Sequence, residues 1–172
     1  RSNSGFDKSG FTSHGALTLA KLLQTTKYIS QVWLPRHRIG PYGASALFWA
    51  CRDNPTITTL HLRRCRIGER GAFAFCEMIA SSPSSPSNKN CGGGLEDVDL
   101  SNNGIGNRGT VAIERALERR NQERLKNKTT DVPLFVNLEG NLVIPEVRTT
   151  TVAVLCCVAG CNIWYRIGGI LH

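Results

Sequence analysis

The side chains best suited to recognition chemistry lie in two short basic segments, each preceded by an aromatic residue. Trp33 stands before the first segment and His61 before the second. Aromatic anchors beside cations often dominate the energy of protein interfaces, and Asp97 and Asp99 bring the opposite charge further along the chain. We therefore expect one binding surface that orients a partner by charge. The arginines of the two segments are Arg36, Arg38, Arg63, Arg64 and Arg66.

An internal repeat positions these segments. Residues 11–16, 39–44, 67–72 and 105–110 share one pattern: an apolar residue, three variable residues, a glycine and a small residue. The glycines of the first three copies are spaced 28 residues apart, and the fourth follows 38 residues after the third. A period of this length is typical of solenoid proteins, whose long continuous surface usually binds another macromolecule.

Each repeat combines a strand pattern with a helix pattern. Apolar and polar residues alternate in 29–34, 57–62, 95–100 and 135–138, which predicts strands with one buried face. Helical spacing of apolar residues follows each glycine, as in Ala44, Leu47 and Cys51. The strand residues predicted to point inward are Val32, Leu34, Leu60, Leu62, Val98, Leu100, Val136 and Leu138. The opposite face would then expose one row, formed by Trp33, His61, Asp99 and Asn137.

The third of these strands begins the most complete copy of the repeat. Val98 to Gly109 follows the pattern Leu-x-Leu-x-x-Asn-x-Ile-Gly-x-x-Gly, with valine in the first position. With this pattern the chain resembles ribonuclease-inhibitor-type leucine-rich repeats over roughly residues 4–143, about five units. The resemblance implies an α/β solenoid, with parallel strands on its concave side and helices on its convex side. It also implies that one residue per unit joins neighbouring loops, namely Ser9, His37, Cys65, Asn103 and Asn141, of which His37 departs from the family's Asn or Cys.

Two segments interrupt or end the array. Residues 81–94 are rich in Ser, Pro and Gly, which predicts a flexible loop inserted within the array of residues 1–143, with serines before Pro83 and Pro86 as candidate phosphorylation sites. Residues 144–172 form a divergent tail, in which 152–171 are apolar and long enough to span a bilayer. A membrane anchor, a cover for the last repeat and non-native sequence are the alternative interpretations of this tail. Because the chain begins with Arg1 and part-way through a unit, we expect a fragment of a longer protein.

Charge and cysteine content restrict the partner and the compartment. The formal net charge is +8, and much of the excess lies in 108–128, where interleaved glutamates predict a solvated helix face. An acidic protein is the expected partner, since aromatic residues are too sparsely interleaved with bases for a nucleic-acid platform; a membrane is expected only through 152–171. The seven cysteines lack the spacing of metal ligands, and the core is the expected place for Cys51, Cys65 and Cys76, in a reducing, cytoplasmic setting.

Catalytic motifs are missing from the sequence. It contains neither a Gly-x-Ser-x-Gly elbow nor a phosphate-binding Gly-x-x-x-x-Gly-Lys segment, so we expect a protein-interaction module, a scaffold or regulator without catalytic residues, metal or cofactor. A Ran GTPase-activating protein, whose repeats are also similar, would use Arg36, Arg38 or Arg64; a membrane-tethered receptor fragment is the other alternative. The contacts expected on the concave face are Trp33, Arg36, His61, Arg63, Arg64, Asp97, Asp99 and Asn137.

Overall fold

Strands and helices alternate along the chain as the repeat predicts. The computed structural model describes residues 11–81, 94–127 and 134–141. Within these ranges it contains the order α1 (Ser13–Thr25), β1 (Gln31–Trp33), α2 (Gly40–Asp53), β2 (Thr59–His61), α3 (Gly68–Ala80), β3 (Asp97–Asp99), α4 (Asn107–Asn127) and β4 (Phe135–Asn137). The predicted α/β solenoid architecture is confirmed.

The four strands form one parallel sheet in the order β1-β2-β3-β4. Their central residues, Val32, Leu60, Val98 and Val136, are paired in register and buried. The strands are shorter than the alternating segments that predicted them. Regular pairing ends before the second inward-facing residue of each unit, such as Leu62 after β2. Single hydrogen bonds still join the units there, for example from the Leu62 amide to the Asp99 carbonyl at 2.8 Å.

The sheet continues directly across the predicted insertion, because β2 pairs with β3. Residues 82–93 of that insertion, with its candidate phosphorylation sites, lie outside the described residues, as do residues 4–10 and the whole predicted tail 144–172. The candidate membrane segment 152–171 therefore lies outside them as well. None of the helices in the described ranges is long and apolar enough to cross a bilayer.

One stripe of each helix packs against the sheet. Phe48 of α2 and Phe75 of α3 are fully buried, and their ring centroids lie 5.0 Å apart. Each helix packs against its neighbours in the sequence, α1 on α2, α2 on α3 and α3 on α4. The predicted helix stripes are confirmed, with Ala16, Ala20, Leu23, Ala44, Leu47, Cys51, Ala72, Phe75, Ile79, Ile113 and Leu117 in the core and Leu19 and Ala116 partly buried against it.

The repeated glycine lies inside each helix rather than before it, which corrects the expected helix start. A side chain at this position would collide with two neighbours. A Cβ atom on Gly109 would lie 2.8 Å from Ile105 Cγ2 and 3.0 Å from Ala72 Cβ, and one on Gly43 would be equally close to Ala16 Cβ, at 2.9 Å. At Gly43 and Gly109, glycine therefore lets the first turn of the helix approach the preceding helix.

Candidate functional site

The face of the sheet opposite the helices carries two rows of side chains. We call this surface the open face; it corresponds to the predicted concave side. One row is Trp33, His61, Asp99 and Asn137, as predicted, and the other, of which only Asp97 was predicted as a contact, is Gln31, Thr59, Asp97 and Phe135. The second row could have been found from the sequence, since its members stand two residues before those of the first and period-two alternation places both on one face.

Three side chains on the open face contact one another across adjacent strands. The rings of Trp33 and His61 have centroids 4.0 Å apart and planes inclined by 37°. On its other side, His61 Nε2 lies 3.0 Å from Asp97 Oδ2. Trp33 is still 59 % exposed, although its indole nitrogen donates to Gln31 Oε1 at 3.4 Å. The arrangement forms a continuous aromatic-to-acidic surface in which the His61 ring is held from both sides.

Asp99 and Asn137 are partly engaged in holding their own turns. The carboxylate Oδ1 of Asp99 accepts the Ser101 amide at 2.8 Å, and the amide Oδ1 of Asn137 accepts the Glu139 amide at 3.0 Å. Such side chain-to-backbone bonds two residues ahead are common in turns. Each of these two predicted contacts therefore has one side-chain oxygen already engaged by its own turn.

The two basic segments form one continuous surface at the carboxyl ends of β1 and β2. We call residues 35–38 and 63–66 the arginine edge. The backbone joins the two segments, because the Arg36 amide donates to the Arg63 carbonyl at 2.7 Å. All five arginines of the edge are exposed. In the ranges that the structure describes, no ion pair is formed by Arg36, Arg63, Arg64 or Arg66.

The backbone of the arginine edge is left-handed at three arginines. The φ angles are 63° at Arg36 and 57° at both Arg64 and Arg66. The matching positions of later units hold Asn102, with φ 56°, and Gly140, with φ 70°, which are the residue types that tolerate this conformation. For other L-residues the left-handed region costs roughly 1–2 kcal/mol each, so the fold alone does not favour arginine at these turns.

A ladder of side-chain bonds stitches the turns behind the arginine edge. Asn103 Oδ1 accepts the amides of Cys65 and Ile67 at 2.7 and 3.4 Å, and its Nδ2 donates to the Leu62 carbonyl at 2.8 Å. Asn141 repeats this role one unit later, accepting the Asn103 amide at 2.8 Å. The stitching implied for these positions is thus observed for Asn103 and Asn141.

Cys65 and His37 fill the same position with different side chains. The Cys65 thiol donates to the Leu34 carbonyl, with Sγ and oxygen 2.9 Å apart, which reproduces the stitch. His37 departs, as expected: its ring lies against Phe11 with centroids 5.5 Å apart, and its buried Nδ1 has no hydrogen-bond partner within the described residues. The remaining member of the set, Ser9, lies outside the described residues.

A comparison with protein-family models agrees with the repeat found in this sequence. Residues 53–76 and 95–113 match the family model described as "Leucine Rich repeat". The chain contains leucine-rich repeats. A solved structure titled "Leiomodin-1 Actin-Binding Site 2 (ABS2)" is similar to 75 % of this chain, at 16 % identity and a TM-score of 0.48. The leucine-rich-repeat chain spans 61 % of the length of that structure. No curated protein matches it.

The predicted solvated face of α4 needs one correction. Arg120 is only 5 % exposed and belongs to the buried part of the helix, whereas Arg115 and Arg119 are exposed as expected. Glu114 and Glu118 stand one helical turn apart, so their carboxylates form a like-charge pair. Burial, and then the charge of Glu118, raises the pKa of the Glu114 carboxyl. The basic helix is therefore less uniformly solvated than its sequence suggests.

The cysteines of the described residues lie in or beside the core. Cys51 and Cys65 are buried, Cys76 is half-buried, and all three are free thiols, as the core assignment predicts. Burial raises the pKa of Cys76 to about 11 and that of Cys51 to about 12. In the ranges that the structure describes, no group of three or more His, Cys, Asp or Glu residues could hold a metal ion. The remaining cysteines, such as Cys91 and Cys156, lie outside these ranges.

The raised pKa of Cys51 predicts a loss of stability in alkaline solution. In the unfolded chain this thiol ionises near pH 9.0, whereas in the folded chain it stays protonated until about pH 12. Its contribution is therefore complete below pH 9 and declines as the pH rises between 9 and 12, by about 1.4 kcal/mol per pH unit. Urea unfolding of the reduced protein at a series of pH values, compared with Cys51→Ala, should show the wild type losing stability more steeply. Parallel curves for the two proteins would contradict the burial of this thiol.

Proposed function

We propose that this leucine-rich-repeat chain is a protein-interaction module, a scaffold or regulatory adaptor, that binds its partner through the open face. The observation that supports this most directly is the contact of Trp33, His61 and Asp97 across three adjacent strands. A fixed, largely exposed tryptophan beside a pair of oppositely chargeable groups has the character of an interface hot spot. The ordered rings also reduce the entropy lost when a partner binds.

Two further properties of the module are part of the proposal. We assign the repeats to the ribonuclease-inhibitor-like subtype, which the 28-residue period and a helix in each unit support. We also assign a non-catalytic role in the cytoplasm. The free thiols of Cys51, Cys65 and Cys76 support a reducing compartment. The side chains that contact one another on the open face support binding of a partner rather than catalysis.

The test removes the two open-face rings and follows the bound partner. The full chain and the double variant Trp33→Ala/His61→Ala are used as baits in quantitative affinity purification from native lysate, with melting curves to establish that both are folded. Because truncation of a hot-spot aromatic typically costs about 2 kcal/mol or more, we expect the recovery of a specific partner to fall by at least about ten-fold.

A matched variant separates site loss from general effects of removing rings. Tyr28→Ala/His14→Ala deletes one aromatic and one imidazole side chain that are exposed away from the open face. We expect this variant to recover the partner as the wild type does. Retention of the partner by the open-face variant, or equal loss in both variants, would contradict the proposed binding surface.

A further inference from the structure

The arginine edge concentrates charge in two neighbouring units. The turns after β1 and β2 carry Arg36, Arg38, Arg63, Arg64 and Arg66. The next turn holds Ser101, Asn102, Asn103 and Gly104 instead, so the basic character stops after two units. Since parallel strands lie about 4.8 Å apart, the charged surface is short and is suited to a short ligand segment.

The fold does not require arginine at these positions. Arg64 matches Asn102 of the next unit, and Arg66 matches Gly104, and all four residues share the left-handed backbone. Asparagine and glycine adopt that backbone most readily, and other residues held in sparsely populated conformations cluster at functional sites. Stabilisation of the turn therefore does not explain these arginines, and we look for their role in binding.

The turns hold their backbone in place while the side chains face solvent. The Arg64 amide donates to the Ser101 carbonyl at 3.0 Å, and the following amide, of Cys65, donates to Asn103 Oδ1 at 2.7 Å. These bonds fix the points from which the two exposed guanidinium groups extend. A rigid base lowers the ordering cost of binding, so the edge is prepared for a charged ligand.

A groove of about 630 Å³ opens beside these turns, lined in part by Arg64, Arg66, Asn102 and Gly104. Among the described residues that line this groove, none carries a carboxylate. Open space lies beside Gly104, since nothing is within 4 Å of the position that a Cβ would occupy there. Guanidinium groups bind carboxylates through paired, charge-assisted hydrogen bonds, which fit ligand oxygens entering such a groove.

We propose that the arginine edge is a second docking surface, separate from the open face, that takes an acidic peptide segment with its carboxylates in the groove beside Arg64 and Arg66. The inference rests on the proposed function only in taking the ligand to be a protein. A nucleic acid fits less well, because the lining residues that the structure describes include no aromatic ring for base stacking.

The test titrates the full chain into a fluorescently labelled oligoglutamate peptide at low ionic strength and follows its anisotropy. The test variant, Arg64→Asn/Arg66→Gly, installs the residues found at the matching positions of the next unit and is expected to fold. The control, Arg115→Gln/Arg119→Gln, removes the same charge from the exposed side of α4. We expect the test variant to weaken binding by about ten-fold or more and the control to leave it within about two-fold.

Four outcomes would overturn the inference. The first is equal weakening by the test and control variants, which would indicate net charge alone. The second is tighter binding of a single-stranded oligonucleotide of equal charge than of oligoglutamate. The third is equal loss in Trp33→Ala/His61→Ala, which would place the peptide on the open face. Failure of the wild type to bind the peptide, with the open-face variant still losing its lysate partner, would reject the inference alone.

Discussion

Replacing Phe75 by alanine is expected to lower the free energy of unfolding by about 3–5 kcal/mol. The side chain is fully buried between the sheet and the helices, and its ring lies against Phe48 of the neighbouring unit at a centroid distance of 5.0 Å. Truncation therefore removes apolar contacts from two units at once and leaves a cavity that a parallel sheet can hardly close. Equilibrium urea unfolding, followed by circular dichroism, measures the change.

Phe73 offers a control of the same type on the same helix. It stands two residues earlier in α3 and is 43 % exposed, so Phe73→Ala removes an equal number of atoms with much less loss of burial. We expect a cost below about 1 kcal/mol for Phe73→Ala. Similar costs for the two variants would show that the assigned inner face of α3 is wrong.

The second large effect is expected from Asn103→Ala, at about 3 kcal/mol or more. The side-chain amide of Asn103 accepts the amides of Cys65 and Ile67 and donates to the carbonyls of Leu62 and Ser101. Asn103 itself is almost fully buried, so alanine leaves backbone groups in the core without partners, and each such group costs about 1–3 kcal/mol. The same unfolding measurement, with amide hydrogen exchange at Cys65, tests this expectation.

The adjacent Asn102 provides a control that changes the turn but keeps the side-chain ladder of Asn103. Asn102 has a left-handed backbone, with φ 56°, and glycine is tolerated in that conformation without strain. We therefore expect Asn102→Gly to change the free energy of unfolding by no more than about 0.5 kcal/mol. Faster exchange at Cys65 should be confined to Asn103→Ala; equal exchange rates in both variants would contradict the ladder.

Much of the fold could be predicted from the sequence because burial in a repeat protein follows local periodicity. Alternation located all four described strands, and helical spacing located the inner stripes of the four helices. The repeat period then implied the register that places Trp33 beside His61. The glycine pattern was found but misinterpreted, since its cause is a contact with the preceding helix, which only the packing reveals.

The details of the site were less accessible from the sequence. The pairing of His61 with Asp97 is diagonal between the two rows, so it depends on rotamers rather than on register. The left-handed arginines left one usable signal, because matching positions in later units hold asparagine and glycine. Burial of Arg120 on α4 depends on how that helix packs at its far end, which periodicity of charged residues does not encode.

Within the described ranges, each helix packs against the helices of adjacent units and each strand pairs with the strands of adjacent units. This arrangement has a consequence for how such a molecule can change over generations. Duplication or loss of one 28-residue unit alters two contact surfaces and leaves the rest intact. Stability in such arrays is close to a sum of unit and neighbour contributions, so a tandem duplication adds a strand-width of recognition surface while most existing contacts persist. Over generations, the length of the binding surface therefore changes by whole repeat units.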